Sequence, residues 1–143
     1  MRNDPIEILL VEDNPDHVEL ILDALQNNGL INALKIVNDG KAALDYLFQR
    51  GDYVDATKPG LVLLDINLPK IDGIEVLRQI KKDPELKTIP VIILSTSDND
   101  EDIERCYGNG ANSYIVKPVD FEKFRQAIQE LKMYWIVSNR LPQ

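Results

Sequence analysis

The sequence predicts an α/β protein: a doubly wound, five-stranded parallel sheet with helices on both faces. Three observations lead there. Short apolar runs of strand length alternate with segments whose apolar residues recur at helical spacing. Four of the five runs read as continuously apolar near their ends, as strands covered on both faces do. The connections are short, which favours strict strand–helix alternation over separate layers of each.

The elements follow in order. Ile6–Val11 (IEILLV) is the first strand. Val18, Ile21, Leu22 and Leu25 then sit at i, i+3, i+4 and i+7, one apolar stripe of a helix. Leu34–Val37 reads as the second strand, and Leu44, Leu47 and Phe48 as the stripe of the second helix. Arg50–Gly60 (RGDYVDATKPG) is longer than a usual connection and is expected to be an exposed loop. Leu61–Asp65 (LVLLD) is the third strand; Leu77 and Ile80 mark a short third helix ending before Pro84. Pro90 opens a fourth strand at Val91–Leu94, and Ile103, Cys106 and Tyr107 give the fourth helix its stripe. Ser113–Val116 is the fifth strand. Phe121, Phe124, Ile128 and Leu131 form a last helical stripe that Trp135 can extend. Gly29, Gly40, Gly73 and Gly110 fall where helices should begin or stop.

A chain of 143 residues is one domain, with its core at about 5–132 and a C-terminal extension at 133–143. Hydrophobic residues at 44% and charged ones at 28% are ordinary globular composition. With 24 acidic against 16 basic side chains the net charge is −8, which repels phosphate backbones and anionic lipid. Neither nucleic acid nor membrane is an expected partner. Cys106 is the only cysteine, so no internal disulfide forms, and its place on an apolar stripe predicts a packed thiol. The longest unbroken apolar run, Met133–Val137, falls far short of the ~20 residues of a membrane span. The cytoplasm is the expected compartment.

In an open α/β sheet the ligand crevice lies beyond the carboxyl ends of the strands. Here those ends run into Glu12-Asp13, Asp65-Ile66-Asn67, Ser95-Thr96 and Lys117-Pro118. Three carboxylates, an amide, two hydroxyls and an ammonium would therefore crowd one rim. Three close carboxylates need counter-charge, because each raises the pKa of the others. Hard oxygen donors in a small space suit Mg²⁺. The metal and Lys117 together would neutralise the three acids, so an arriving phosphoryl group would meet a compensated site. Phosphoryl transfer asks chiefly for positioning and charge compensation.

Taken together, Val11-Glu12-Asp13-Asn14, Leu64-Asp65-Ile66-Asn67-Leu68-Pro69-x-x-Asp72-Gly73, Leu94-Ser95-Thr96 and Val116-Lys117-Pro118 resemble the receiver domain of two-component response regulators. The resemblance runs in order from Ile6 to about Leu131. It implies the flavodoxin-like strand order 2-1-3-4-5 and a protein that is not an enzyme beyond catalysing its own aspartyl phosphorylation and dephosphorylation. It further implies Asp65 as phosphoacceptor from a sensor histidine kinase, and Lys117 as the lysine that contacts the phosphoryl group. Mg²⁺ would be bound by Asp13, Asp65 and the backbone carbonyl of Asn67, with Glu12 reaching it through water. Ser95 matches the family's switch hydroxyl and Tyr114 the aromatic that swings inward with it. Asn67 and Thr96 stand where the family tunes phosphoryl lifetime, and Pro118 where it uses a cis peptide bond. The changed face would be the fourth helix, fifth strand and last helix.

The Arg50–Gly60 loop, the Ser95-Thr96-Ser97-Asp98 segment and the tail together resemble the small single-domain regulators that pair with cyanobacterial phytochrome kinases. Tyr134, Trp135, Ile136 and Val137 extend the last helix beyond a receiver's needs, and aromatics on such an extra turn predict a homodimer interface.

Other classes fit less well. A haloacid-dehalogenase-like phosphatase needs Asp-x-Asp, and here the second acid is Asn67. Gly108-Asn109-Gly110 lacks the third glycine of a dinucleotide site, and Gly40-Lys41 lacks the earlier glycine of a P-loop. A flavin phosphate would be repelled by the acidic rim. A receiver-like interaction module working without phosphorylation is the remaining alternative, disfavoured because all the acids are retained. His17, the only histidine, is a candidate phosphodonor or ligand, but a phosphohistidine needs a helical-bundle context, and an exposed polar residue opening the first helix is expected instead.

Overall fold

A computed structural model describes residues 6–26 and 31–117, together with Glu122 and Gln126. Five strands and four helices alternate through these residues: β1 (Ile6–Val11), α1 (Pro15–Gln26), β2 (Ile31–Val37), α2 (Gly40–Leu47), β3 (Leu61–Asp65), α3 (Gly73–Lys82), β4 (Val91–Ser95), α4 (Asp100–Gly108) and β5 (Ser113–Val116). The strands are all parallel, in the order β2-β1-β3-β4-β5. Moving outward from β1 in both directions is what lets the intervening helices cover both faces.

Alternation along the strands divides the interior into two cores. Leu9, Val11, Val62, Leu64, Val91 and Ile93 point to one face, where they meet Leu44 and Leu47 of α2, Val76, Leu77 and Ile80 of α3, and Cys106 of α4. Ile8, Leu10, Leu61, Leu63, Ile92 and Leu94 point to the other, against Ile21 and Val18 of α1. A side-chain period of two on a sheet packed from both sides requires this. The central strands β3 and β4 are buried along their whole length. β5, at the edge, is only partly buried and Val116 is exposed.

Helix starts follow local chemistry. Asn14 caps α1, its Oδ1 accepting the N–H groups of Asp16 (2.9 Å) and His17 (3.4 Å), and Pro15 takes the first helical position. Asp39, Asp72 and Asn99 cap α2, α3 and α4 in the same way. Two glycines are required by close approach. A Cβ on Gly73 would strike the carbonyl oxygen of Asp65, and one on Gly40 the carbonyl of Ile71. The β3–α3 loop is thus wedged between the end of its own strand and the start of α2, where Gly40 N–H donates to Pro69 O at 3.3 Å.

Several expectations need correction. β2 begins at Ile31 rather than Leu34, because Ile31 and Ala33 pair with Ile6 and Glu7 of β1 across a register shift. β4 takes in Ser95. Arg50–Gly60 is not wholly loop: Gly51–Tyr53 form a 3₁₀ turn, and the Tyr53 ring packs edge-on to Tyr46 of α2 with centroids 5.4 Å apart. Tyr107 is 49% exposed, since α4 buries Cys106 alone and its stripe is narrower than the spacing implied. The last helical stripe, Pro118 and the candidate interface residues Tyr134, Trp135, Ile136 and Val137 lie outside the described residues, as does Gly29.

Candidate functional site at the carboxyl edge of the sheet

Strand register assembles the site. Val11 pairs with Leu64, so Glu12 and Asp65 end adjacent strands side by side. Asp65 pairs with Leu94, and Ser95 with Val116, which brings Lys117 to the same rim. One ligand oxygen from each of Glu12, Asp13 and Asp65 lies within 4.8 Å of the others. Glu12, Asp65 and Lys117 are buried, Glu12 to within 1% of full occlusion, whereas Asp13 is exposed at the mouth.

Lys117 holds the buried acids together. Its Nζ donates to Glu12 Oε1 at 2.5 Å and to Asp65 Oδ2 at 3.1 Å. Burial raises the Glu12 carboxyl above its ordinary range; the hydrogen bond from Lys117 opposes this, and the nearby charge of Asp65 adds to it. The other oxygens are also occupied. Asn14 N–H donates to Glu12 Oε2 at 3.2 Å, and Asn67 N–H to Asp65 Oδ1 at 2.9 Å. Asn67 itself is exposed, as is Thr96.

Ser95 is fully buried at the end of β4, and its Oγ accepts the N–H of Ser97 at 3.0 Å. Ser97 in turn accepts the Tyr114 hydroxyl on its carbonyl at 2.9 Å and donates its own hydroxyl to Asp102 of α4 at 2.7 Å. Tyr114 is half-buried against the core on the α2–α4 face. Ser95, Tyr114 and α4 are therefore joined through one residue, Ser97, to which the sequence motifs assign no role of its own. Its signal was present: a hydroxyl two residues beyond a strand-end serine and five before an acid in the next helix.

His17 departs further from expectation. Expected to be exposed, its side chain is 31% exposed and turns back over the site, with Nδ1 2.9 Å from Lys117 Nζ and 3.7 Å from Glu12 Oε2. The signal available was its place in the first turn of the helix following β1, directly above the sheet edge.

The donor set suits a hard divalent cation: clustered carboxylates, one of them open to solvent, and the carbonyl-bearing turn at Asn67 beside them. Among the described residues the cluster itself is made of carboxylates, with the His17 imidazole beside it. Among the described residues no helix is long and apolar enough to cross a membrane.

Comparison with known proteins agrees with this geometry. The family model of the response regulator receiver domain matches residues 8–129. The chain is 47% identical over 139 residues to a probable methanogenesis regulatory protein, FilR2, of Methanothrix harundinacea, covering 97% of this chain and 89% of that protein. It is 39% identical to response regulator Rcp1 of Synechocystis, covering 98% of this chain and 95% of Rcp1. The Mn²⁺-bound form of Rcp1 superposes with a TM-score of 0.80, over 97% of this chain and all of that one. The phosphorylated cyanobacterial phytochrome response regulator RcpA superposes with a TM-score of 0.81 at 43% identity, over 98% of this chain and all of RcpA. With a receiver model spanning most of its length, this sheet order and this acidic rim, the chain belongs to the response regulator receiver family.

Proposed function

We propose that the protein is a phosphoryl-accepting response regulator, with Asp65 as the acceptor and a phosphohistidine of a sensor histidine kinase as the donor. The observation that carries this is the Lys117 ammonium held 3.1 Å from Asp65 inside a cluster of three carboxylates. An Asp65 oxygen attacks phosphorus in line with the P–N bond. That bond breaks, its electron pair stays on the imidazole nitrogen, and an aspartyl-phosphate forms.

Mg²⁺, when bound, supplies charge compensation to the transferring group; Asp13, Asp65 and the Asn67 carbonyl would hold it, with Glu12 acting through water. The chain's own groups do the rest. Asn67 N–H fixes one Asp65 oxygen and so sets the carboxylate plane. Lys117, a compact point charge, turns toward the phosphoryl oxygens. Ser95 gives the new group its hydroxyl, which draws Oγ away from Ser97 N–H. Ser97 then carries the change to Tyr114 and, through Asp102, to α4, a local charge event read out at a protein-binding face. Thr96 and Asn67, both at the mouth, control the approach of the water that ends the signal.

Likeness to Rcp1 and RcpA supports a phytochrome-type kinase as the partner. A cytoplasmic location and a homodimer formed through Tyr134, Trp135, Ile136 and Val137 complete the proposal. The test is intact mass after incubation with acetyl phosphate and Mg²⁺, beside Asp65→Asn and an EDTA control. One alkali-labile phosphoryl adduct, absent from both controls, is expected. A wild-type chain that stays unmodified even with a purified histidine kinase would leave the interaction module working without phosphorylation.

A further inference from the structure

Lys117 has three N–H donors, and each has its own acceptor: Glu12 Oε1 at 2.5 Å, His17 Nδ1 at 2.9 Å and Asp65 Oδ2 at 3.1 Å. Because an ammonium only donates, the Nδ1 of His17 accepts, which places the imidazole proton on Nε2. The contacts close a ring. Glu12 Oε2 accepts from Asn14 N–H, Asn14 Oδ1 accepts from His17 N–H, His17 Nδ1 accepts from Lys117, and Lys117 donates to Glu12 Oε1. The capping turn of α1 is thereby tied to the lysine at the end of β5.

If Asp65 takes up a phosphoryl group, new anionic oxygens ask Lys117 for a donor, and one of its three acceptors must give way. The three are unequal. Glu12 is a buried carboxylate whose release would strand a charge. Asp65 is the group that carries the phosphoryl. His17 is uncharged as an acceptor and 31% exposed, so its ring can turn to water at little cost. We infer that His17 is a positioning residue that holds one Lys117 donor in the unmodified protein and yields it to the phosphoryl group. This rests on the phosphoacceptor function proposed above. It makes the imidazole a competitor of the phosphoryl group for Lys117, so His17 shortens or weakens the activated state.

As the only histidine, His17 gives unambiguous imidazole ¹⁵N signals. Spectra are recorded at one pH with Mg²⁺, before and after addition of beryllofluoride, an aspartyl-phosphate mimic. In the unmodified chain Nδ1 should show the shift of a hydrogen-bonded acceptor, and in the adduct that of a solvated one. Beryllofluoride affinity is then compared among wild type, His17→Leu and His17→Asn. Loss of a competing hydrogen bond of ordinary strength predicts about three- to tenfold tighter binding by His17→Leu. His17→Asn, whose Oδ1 stands where Nδ1 was, should remain close to wild type. Unchanged Nδ1 shifts, or His17→Leu binding no tighter than wild type, overturns the inference while an adduct still forms. A wild-type chain that takes up neither beryllofluoride nor phosphoryl overturns the proposed function, and this inference with it.

Discussion

Glu12, at the end of β1, and Lys117, at the end of β5, lie 105 residues apart in the chain yet meet at 2.5 Å, both almost wholly buried. The register that brings them together also sets Asp65 between them, so one cation serves two buried carboxylates. This pairing makes the site a coherent structural unit.

Lys117→Met should therefore destabilise the fold by about 3–5 kcal/mol at neutral pH, the range for breaking a buried pair and stranding its partner. Millimolar Mg²⁺ should recover much of that loss by replacing the missing charge. With Lys117 gone, burial and the charge of Asp65 both raise Glu12 unopposed, so the folded chain binds a proton the unfolded chain releases; the loss should shrink as pH falls toward 5. Urea melts with and without Mg²⁺ check this, and a deficit insensitive to both Mg²⁺ and pH would contradict it.

Gly40→Ala should disturb the reactive loop from a distance. The added Cβ strikes the Ile71 carbonyl, in the loop that carries Asn67 and ends against Gly73 and Asp65. Overpacking of this kind costs about 1–3 kcal/mol. Displacement of the Asn67 turn should slow adduct formation from acetyl phosphate by about tenfold or more. A rate equal to wild type in a folded variant would show that the loop yields freely.

Cys106 should behave as an inert thiol. Burial first, and then the charge of Asp102, push it up from 9.0 to about 11. Since the unfolded thiol ionises first, the unfolded state binds fewer protons above pH 9, and stability should fall by about 2 kcal/mol between pH 9 and 11. Cys106→Ala should lose that slope while keeping the rest of the profile. In the wild type, labelling by a thiol reagent at neutral pH should follow the rate of unfolding.

Truncation after Lys132 should reduce self-association, because it removes Tyr134, Trp135, Ile136 and Val137. Sedimentation of the truncated and full chains at equal concentration measures this. An unchanged mass would assign those residues to packing within one chain.

Much of this is legible in the sequence. β3 and β4 were readable end to end because both faces of each are buried, leaving little room for a polar residue. Edge strands are less constrained: the start of β2 is hidden in the sequence because Asn32 interrupts its apolar run without preventing pairing with β1. Tyr107 satisfies the same i, i+3, i+4 arithmetic as Leu47 and Phe48, yet Cys106 is the one residue that α4 fully buries, and spacing does not report how deeply a helix sits.

For the site, the one-dimensional order determined which groups reach the rim: Asp65 and Ser95 end a strand and Glu12, Asp13 and Lys117 come just after one, and a parallel sheet brings such ends together. Which of them bond to which was decided in three dimensions. The Lys117–Glu12 pair depends on side-chain reach across the strands between them, the Ser95–Ser97–Tyr114 link on the turn after β4, and the His17–Lys117 contact on how α1 lies over the sheet. Strand ends are local properties of a chain, and hydrogen-bond partners a hundred residues apart are not, because they are selected by packing that no local window contains.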